Sequence, residues 1–163
     1  MYCQLMNAWM AFAVRVEHAH AIADGSGMRM LAETVTGGSW ATKPASMGTC
    51  DENFQKALEE LQNTEPDDLH SPTREFVDIV MNICEARRLY RTENGALGLG
   101  PSHLAKGDLI TVLFGGPTPF ILRKQDHRKF RIIGETYLCG AMRGEAIEAC
   151  ELGKHDVEEL EII

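Results

Sequence analysis

The chain has no apolar run long enough to span a bilayer. Its longest apolar stretch runs from Met1 to Val14 and is broken by Gln4 and Asn7, well short of the ~20 residues a spanning helix needs. No Lys or Arg precedes Arg15, whereas a secretory leader carries a basic segment ahead of its apolar one. The stretch therefore reads as a buried helix. Basic residues are in deficit, with 16 Lys+Arg against 24 Asp+Glu and a net charge of −8. That balance argues against a nucleic-acid partner, which calls for a basic surface. The five cysteines, Cys3, Cys50, Cys84, Cys139 and Cys150, are odd in number and none form C-x-x-C, so neither a disulfide framework nor a zinc ribbon is indicated. Free thiols in a reducing compartment, and hence a cytoplasmic protein, are the simplest reading. No G-x-S-x-G elbow, P-loop or G-x-G-x-x-G is present, so no cofactor is expected. His18 and His20 sit two apart on a helical pattern and point in different directions, which gives no metal site.

What is present is an ordinary globular composition, 44% hydrophobic and 25% charged over 163 residues. Such a chain can bury roughly two-thirds of its unfolded surface without metal or disulfide staples. The first part is helical in pattern. Leu5, Trp9, Phe12 and Val16 repeat at helical spacing over residues 2–23, and Asp24-Gly25-Ser26-Gly27 ends the segment. A short helix follows from Met28 to Val35. The Gly/Pro-containing stretch Thr36–Thr49 reads as a loop, 14 residues long and near the limit for structureless connections. Asp51 is a plausible N-cap for a helix over Glu52–Gln62, with Phe54, Leu58 and Leu61 as its stripe. Pro72 suits the start of a helix from Thr73 to Cys84, facing inward with Phe76, Val77, Val80, Met81 and Cys84.

Near residue 87 the pattern changes to short β-prone runs separated by Gly and Pro. Strands are expected at Arg88–Thr92, Ala96–Leu99, Leu109–Phe114, Pro119–Arg123, Phe130–Leu138 and Val157–Ile163, with a short helix at Gly144–Glu151. Asn94-Gly95 predicts a two-residue type I′ hairpin, in which both positions need positive φ. About six short strands cornered by glycine indicate a small antiparallel β-barrel. The class is α+β: helices over 1–86, packed against a barrel over 87–163, as one structural domain. Residues 1–74 hold 5 basic and 10 acidic residues, and residues 75–163 hold 11 and 14.

The second half also carries an ordered series of motifs: Arg87-Arg88-Leu89-Tyr90-Arg91-Thr92-Glu93-Asn94-Gly95, Leu97-Gly98-Leu99-Gly100-Pro101, Lys106-Gly107-Asp108 and Val112-Leu113-Phe114-Gly115. Pro119-Phe120-Ile121-Leu122-Arg123, Ile133-Gly134-Glu135-Thr136-Tyr137 and Gly140-Ala141-Met142-Arg143-Gly144-Glu145 follow. This succession, about 60 residues long, resembles the C-terminal region of fungal heterokaryon-incompatibility (HET) domain-containing proteins. The resemblance implies a fungal source. The HET domain itself, which the resemblance places near the N-terminus and links to cell-death signalling, has no match here. The resembling region brings no catalytic residues with it.

The residues also have a physical reading of their own. The glycines mark turns and close approaches, and Asp108 can bond a backbone N–H of its own turn. Arg123 and Glu135 can pair across a hairpin. Glu135 and Tyr137 are two apart on one strand and share a face with Ile133; on the barrel interior they would form an acid–base pair in an apolar pocket. The basic run Arg123, Lys124, Arg128, Lys129 and Arg131 reads as a solvated hairpin tip that an acidic tail offsets.

Two functional readings follow. The first is a non-catalytic module that binds a small apolar molecule or a protein partner, with no nucleic acid and no membrane involved and an oligomer not excluded. The second is a cofactor-free cyclase or isomerase of a fungal secondary metabolite, such as a pericyclase, which needs a shaped apolar pocket and one or two hydrogen bonds rather than a motif. On that reading the chain, starting at its own Met without the HET domain, is a barrel recruited alone. Glu135 or Tyr137 would polarise a carbonyl, and Arg123 or Arg88 would orient the acid. Trp9 and Phe12 would wall the pocket, with Met30 beside them.

Overall fold

The structure is a computed structural model that describes residues 26–39, 49–65, 68–154 and 157–163. The chain divides into two compact units, the first ending at Glu85 and the second beginning at Ala86.

In the first unit, α1 spans Ser26–Val35, α2 Cys50–Asn63 and α3 Ser71–Cys84. Leu31, Ala32 and Val35 of α1 are fully buried, with Phe54 and Ala57 of α2 and Phe76, Val77 and Val80 of α3. The rings of Phe54 and Phe76 meet edge to face, their centroids 5.8 Å apart, a favoured aromatic geometry. Buried Thr34 and Thr36 turn their hydroxyls back on the carbonyls of Met30 and Ala32, at 2.7 and 2.9 Å. No polar group is then stranded. The cap of α2 corrects the expectation at Asp51. Thr49 is the N-cap and forms a capping box with Glu52: the Glu52 N–H donates to Thr49 Oγ1, and Glu52 Oε2 accepts from the Thr49 N–H at 3.0 Å. The T-x-x-E spacing that marks this motif was legible in the chain. Leu58 and Leu61 are half-buried rather than core; Ala57 takes their place. The expected helix over 2–23, most of the 36–49 loop, and His18 and His20 lie outside the described residues.

In the second unit the strands are β1 Arg87–Arg91, β2 Leu97–Pro101, β3 Leu109–Val112, β4 Pro119–Asp126, β5 Lys129–Glu135, β6 Tyr137–Leu138 and β7 Glu161–Ile162; a short α4, Glu145–Glu151, precedes β7. They form two sheets, ordered β1-β2-β6 and β3-β4-β5-β7, one of them a curled half-barrel. The α+β class holds. Seven strands are present among the described residues rather than about six, and β7 pairs parallel to β5, the one departure from antiparallel order. The Asn94-Gly95 turn also differs from expectation. Thr92 N–H bonds Ala96 O and Gly95 N–H bonds Thr92 O. Only Gly95 takes positive φ, at 93°. The loop is thus three residues long, a turn closed by a left-handed glycine, which is the next most common hairpin type.

The two sheets join where β5 passes into β6. The expected single strand Phe130–Leu138 is broken twice. Ile121 pairs with Gly134 but Leu122 with Ile132, so Ile133 is an extra residue, a bulge that bends the strand. Thr136 then belongs to neither strand and is buried. Its N–H donates to Pro119 O of the four-stranded sheet at 3.0 Å, and its hydroxyl donates to Leu99 O of the three-stranded sheet at 3.1 Å. At Gly134 the strands approach so closely that a Cβ would lie 2.7 Å from Pro101 Cγ. Among the described residues no helix is long and apolar enough to cross a membrane.

Candidate functional site

The corner is built from a glycine-poor strand facing a glycine-rich one. In the β1–β2 register Tyr90 lies opposite Gly98. The Tyr90 ring lies over that strand: a Cβ on Gly98 would fall 2.2 Å from the ring carbon bearing the hydroxyl, and one on Gly100 3.4 Å from the ring edge. The alternation Leu97-Gly98-Leu99-Gly100 therefore supplies two buried leucines and a bed for one aromatic ring. Laid across it, the Tyr90 hydroxyl reaches Thr136 Oγ1 at 2.8 Å. Thr136 has a single proton, which goes to Leu99 O, so Tyr90 is the donor in this pair. Burial pushes the Tyr90 phenol above its usual value, which keeps it neutral and unsuited to act as a base. Tyr90 and Thr136 went unnoticed as partners because 46 residues separate them; the signal was an aromatic preceding L-G-L-G on a neighbouring strand.

A second cluster fixes the loop between β2 and β3. Arg123 Nε and Nη2 reach the two carboxylate oxygens of Asp108 at 2.7 and 2.8 Å, and Nη2 also reaches His103 O at 3.0 Å. Asp108 accepts from the Ala105 N–H at 2.7 Å, and Arg88 Nη1 donates to Leu104 O at 3.2 Å. The Arg123 guanidinium holds Asp108 below the usual carboxylate range, and Asp108 in turn raises Arg123. A two-pronged pair of this kind is shape-specific as well as charged.

These positions correct the expected catalytic arrangement. Arg123 pairs with Asp108, not Glu135: in the β4–β5 register it faces Arg131, while Glu135 faces Phe120. Glu135 is exposed, so it holds no interior position. The bulge at Ile133 and the corner at Thr136 put Glu135 and Tyr137 in different sheets, and the expected common face does not form. Tyr137 is half-buried, and its carbonyl lies 3.2 Å from Thr136 Oγ1. Arg88 is exposed and serves the loop. Met30 is half-buried on α1 of the helical unit; Trp9 and Phe12 lie outside the described residues. Among the described residues the buried polar side chains are Thr34, Thr36, Thr73 and Thr136, and no three His, Cys, Asp or Glu converge.

The outside of the four-stranded sheet is chemically distinct. Leu109, Leu122 and Ile132 are direct cross-strand neighbours on β3, β4 and β5. Leu122 is covered, but Leu109 is 45% exposed and Ile132 43%. Directly opposed residues share a face, so the three form an apolar rung. Ile162 of β7, opposite Phe130, adds a further exposed apolar side chain. The same strands and their turn carry the exposed Lys124, Arg128 and Arg131, while Lys129 lies 3.7 Å from Glu161 of the tail.

A fold of antiparallel strands curled over a glycine bed, preceded by helices, describes a barrel-type module. Residues 28–155 match the model of the Het-6 beta-barrel domain, and the chain belongs to that family. It is also similar to heterokaryon incompatibility protein 6, OR allele, of Neurospora crassa, 37% identical over 70 residues that make up 41% of this chain and 10% of that protein. The matched segment thus spans about a tenth of the length of the curated relative. No solved structure gives a significant match.

Proposed function

We propose that this Het-6 barrel is a non-catalytic binding module whose partner is another protein. The observation that carries the reading is the contrast between inside and outside. The described interior of the β unit presents Leu97, Leu99, Ile121 and a fully bonded Thr136, whereas large apolar side chains stand in solvent on the sheet exterior. Acid–base chemistry needs a perturbed ionisable group within reach of a substrate. The four shifted groups, Glu60, Tyr90, Asp108 and Arg123, all owe their shifts to burial or to bonds that brace loops, corners and helix ends. An exposed apolar cluster rimmed by charge is instead the anatomy of an interaction surface.

The test is proximity labelling in fungal cells with the natural chain and with Ile132→Lys. A set of neighbours labelled by the natural chain and lost with the variant, whose circular dichroism is unchanged, supports the reading. Identical sets would overturn it, as would a tightly held small apolar molecule recovered from the purified chain in place of any protein.

A further inference from the structure

The two sheets end in four edges, and these are not alike. Edges expose a row of unpaired N–H and C=O groups, which natural proteins guard with charge or by keeping the strand short. The β1 edge is guarded by Arg87, Arg88 and Arg91, all exposed. The β6 and β7 edges are two residues long each. The β3 edge has neither protection. Leu109-Ile110-Thr111-Val112 is uncharged, β-branched at three of four positions, and paired to β4 alone among the described residues. Its flanking turns close on themselves, Asp108 N–H to Ala105 O before it and Gly116 N–H to Leu113 O after it.

We infer that the β3 edge is a homotypic docking site, at which two copies of this chain pair antiparallel through β3 about a two-fold axis at Thr111. The sequence of the strand selects this occupant. With Thr111 on the axis, Thr111 faces Thr111, Ile110 faces Val112, and Leu109 faces Leu113 of the other copy. Every opposed pair is then threonine or aliphatic, the kinds that stabilise antiparallel neighbours. Asp108 falls opposite Phe114, so the two carboxylates stay apart. The same operation on β1, centred on Leu89, would set Arg87 against Arg91 twice, placing like charges face to face. Pairing would continue the four-stranded sheet of one copy into that of the next, and would bring Leu109, 45% exposed, and Phe114, 71% exposed, under cover. One strand pair is a small interface, so the association is weak and dependent on concentration. The inference goes beyond the proposed function and does not rest on it, because it uses the backbone edge rather than the rung at Ile132.

The experiment is sedimentation equilibrium of the full chain over about three decades of concentration, with Thr111→Lys as the test variant and circular dichroism as the check on folding. A monomer–dimer equilibrium whose dissociation constant rises at least ~10-fold in Thr111→Lys supports the inference, since a lysine on the edge blocks pairing. Should Thr111→Lys unfold, Thr111→Cys decides. Residues on the axis come within disulfide range of each other, so this variant must form a cross-linked dimer under mild oxidation faster than both the natural chain and a Glu93→Cys control in the β1–β2 turn. A chain that stays monomeric throughout overturns the inference, as does a dimer indifferent to Thr111→Lys or cross-linking no faster than the control. In either case partners lost with Ile132→Lys would still stand, so the two proposals fail separately.

Discussion

Replacing Thr136 by valine keeps the shape of the side chain and removes one oxygen from the corner that joins the two sheets. Two buried groups lose a partner. Leu99 O no longer receives the hydroxyl at 3.1 Å, and the Tyr90 hydroxyl loses its acceptor at 2.8 Å. A buried polar group left unsatisfied costs about 1–3 kcal/mol. Leu99 O keeps the ladder bond of its pairing with Tyr137, and Tyr90 keeps a poorer contact with Tyr137 O at 3.5 Å, so Thr136→Val should destabilise the β unit by roughly 1–3 kcal/mol. For a unit of this size that corresponds to a fall in Tm of roughly 5–20 °C. Tyr90→Phe should cost less, about 1 kcal/mol, because Thr136 still bonds Leu99 O. The two changes share a bond, so the double variant should fall short of additivity by about 1 kcal/mol. Both tryptophans, Trp9 and Trp40, precede residue 86, so tryptophan fluorescence follows the first part of the chain, while hydrogen exchange at the amides of β1, β2 and β4 across a urea titration reports the β unit separately. A cost for Thr136→Val under ~0.5 kcal/mol, with additive singles, would show that the corner is held by packing alone and refute this account.

Two further outcomes are expected. Glu60 of α2 accepts from the His70 N–H at 2.6 Å, from His70 Nδ1 at 2.7 Å and from the Thr73 hydroxyl, and so caps the first turn of α3 from the neighbouring helix. These bonds lower its carboxyl from 4.5 to about 2. A depressed carboxylate stabilises the fold fully above its unfolded value and loses that contribution as pH falls toward its folded value. Thermal melts should therefore show the natural chain ahead of Glu60→Gln at pH 6, with the gap closing between about pH 4.5 and 2; a gap that does not change with pH rules this out. Gly98→Val drives a side chain into the Tyr90 ring and should destabilise by at least ~3 kcal/mol. Adding Tyr90→Ala should relieve part of that loss in urea titrations, and a double variant worse than the sum of the singles would contradict the bed-and-ring geometry.

Local chemistry was enough to locate most elements. The α3 pattern at Phe76, Val77, Val80 and Cys84 became a buried stripe, because a 3.6-residue period is written in consecutive residues. The glycine-cornered strands were legible for the same reason, as was the family resemblance that the Het-6 barrel match bears out. Resolving Thr49 over Asp51 as the α2 cap needed only the T-x-x-E spacing, since a capping box is closed within four residues.

Partnership across the fold was a different matter. Arg123 could face Glu135 only in a β4–β5 register shifted by about three residues; the observed hairpin sets Arg123 opposite Arg131 and Glu135 opposite Phe120, and register is fixed by the turn and by which face is buried. The corner at Thr136 then sent Tyr137 into the other sheet. The sequence by itself determined which segments are helix and strand and that glycine turns the chain, because those preferences act between near neighbours. Only the tertiary structure decided that Tyr90 meets Thr136 and that Asp108 meets Arg123, because register, bulge and sheet-crossing are settled by the packing of strands far apart along the chain.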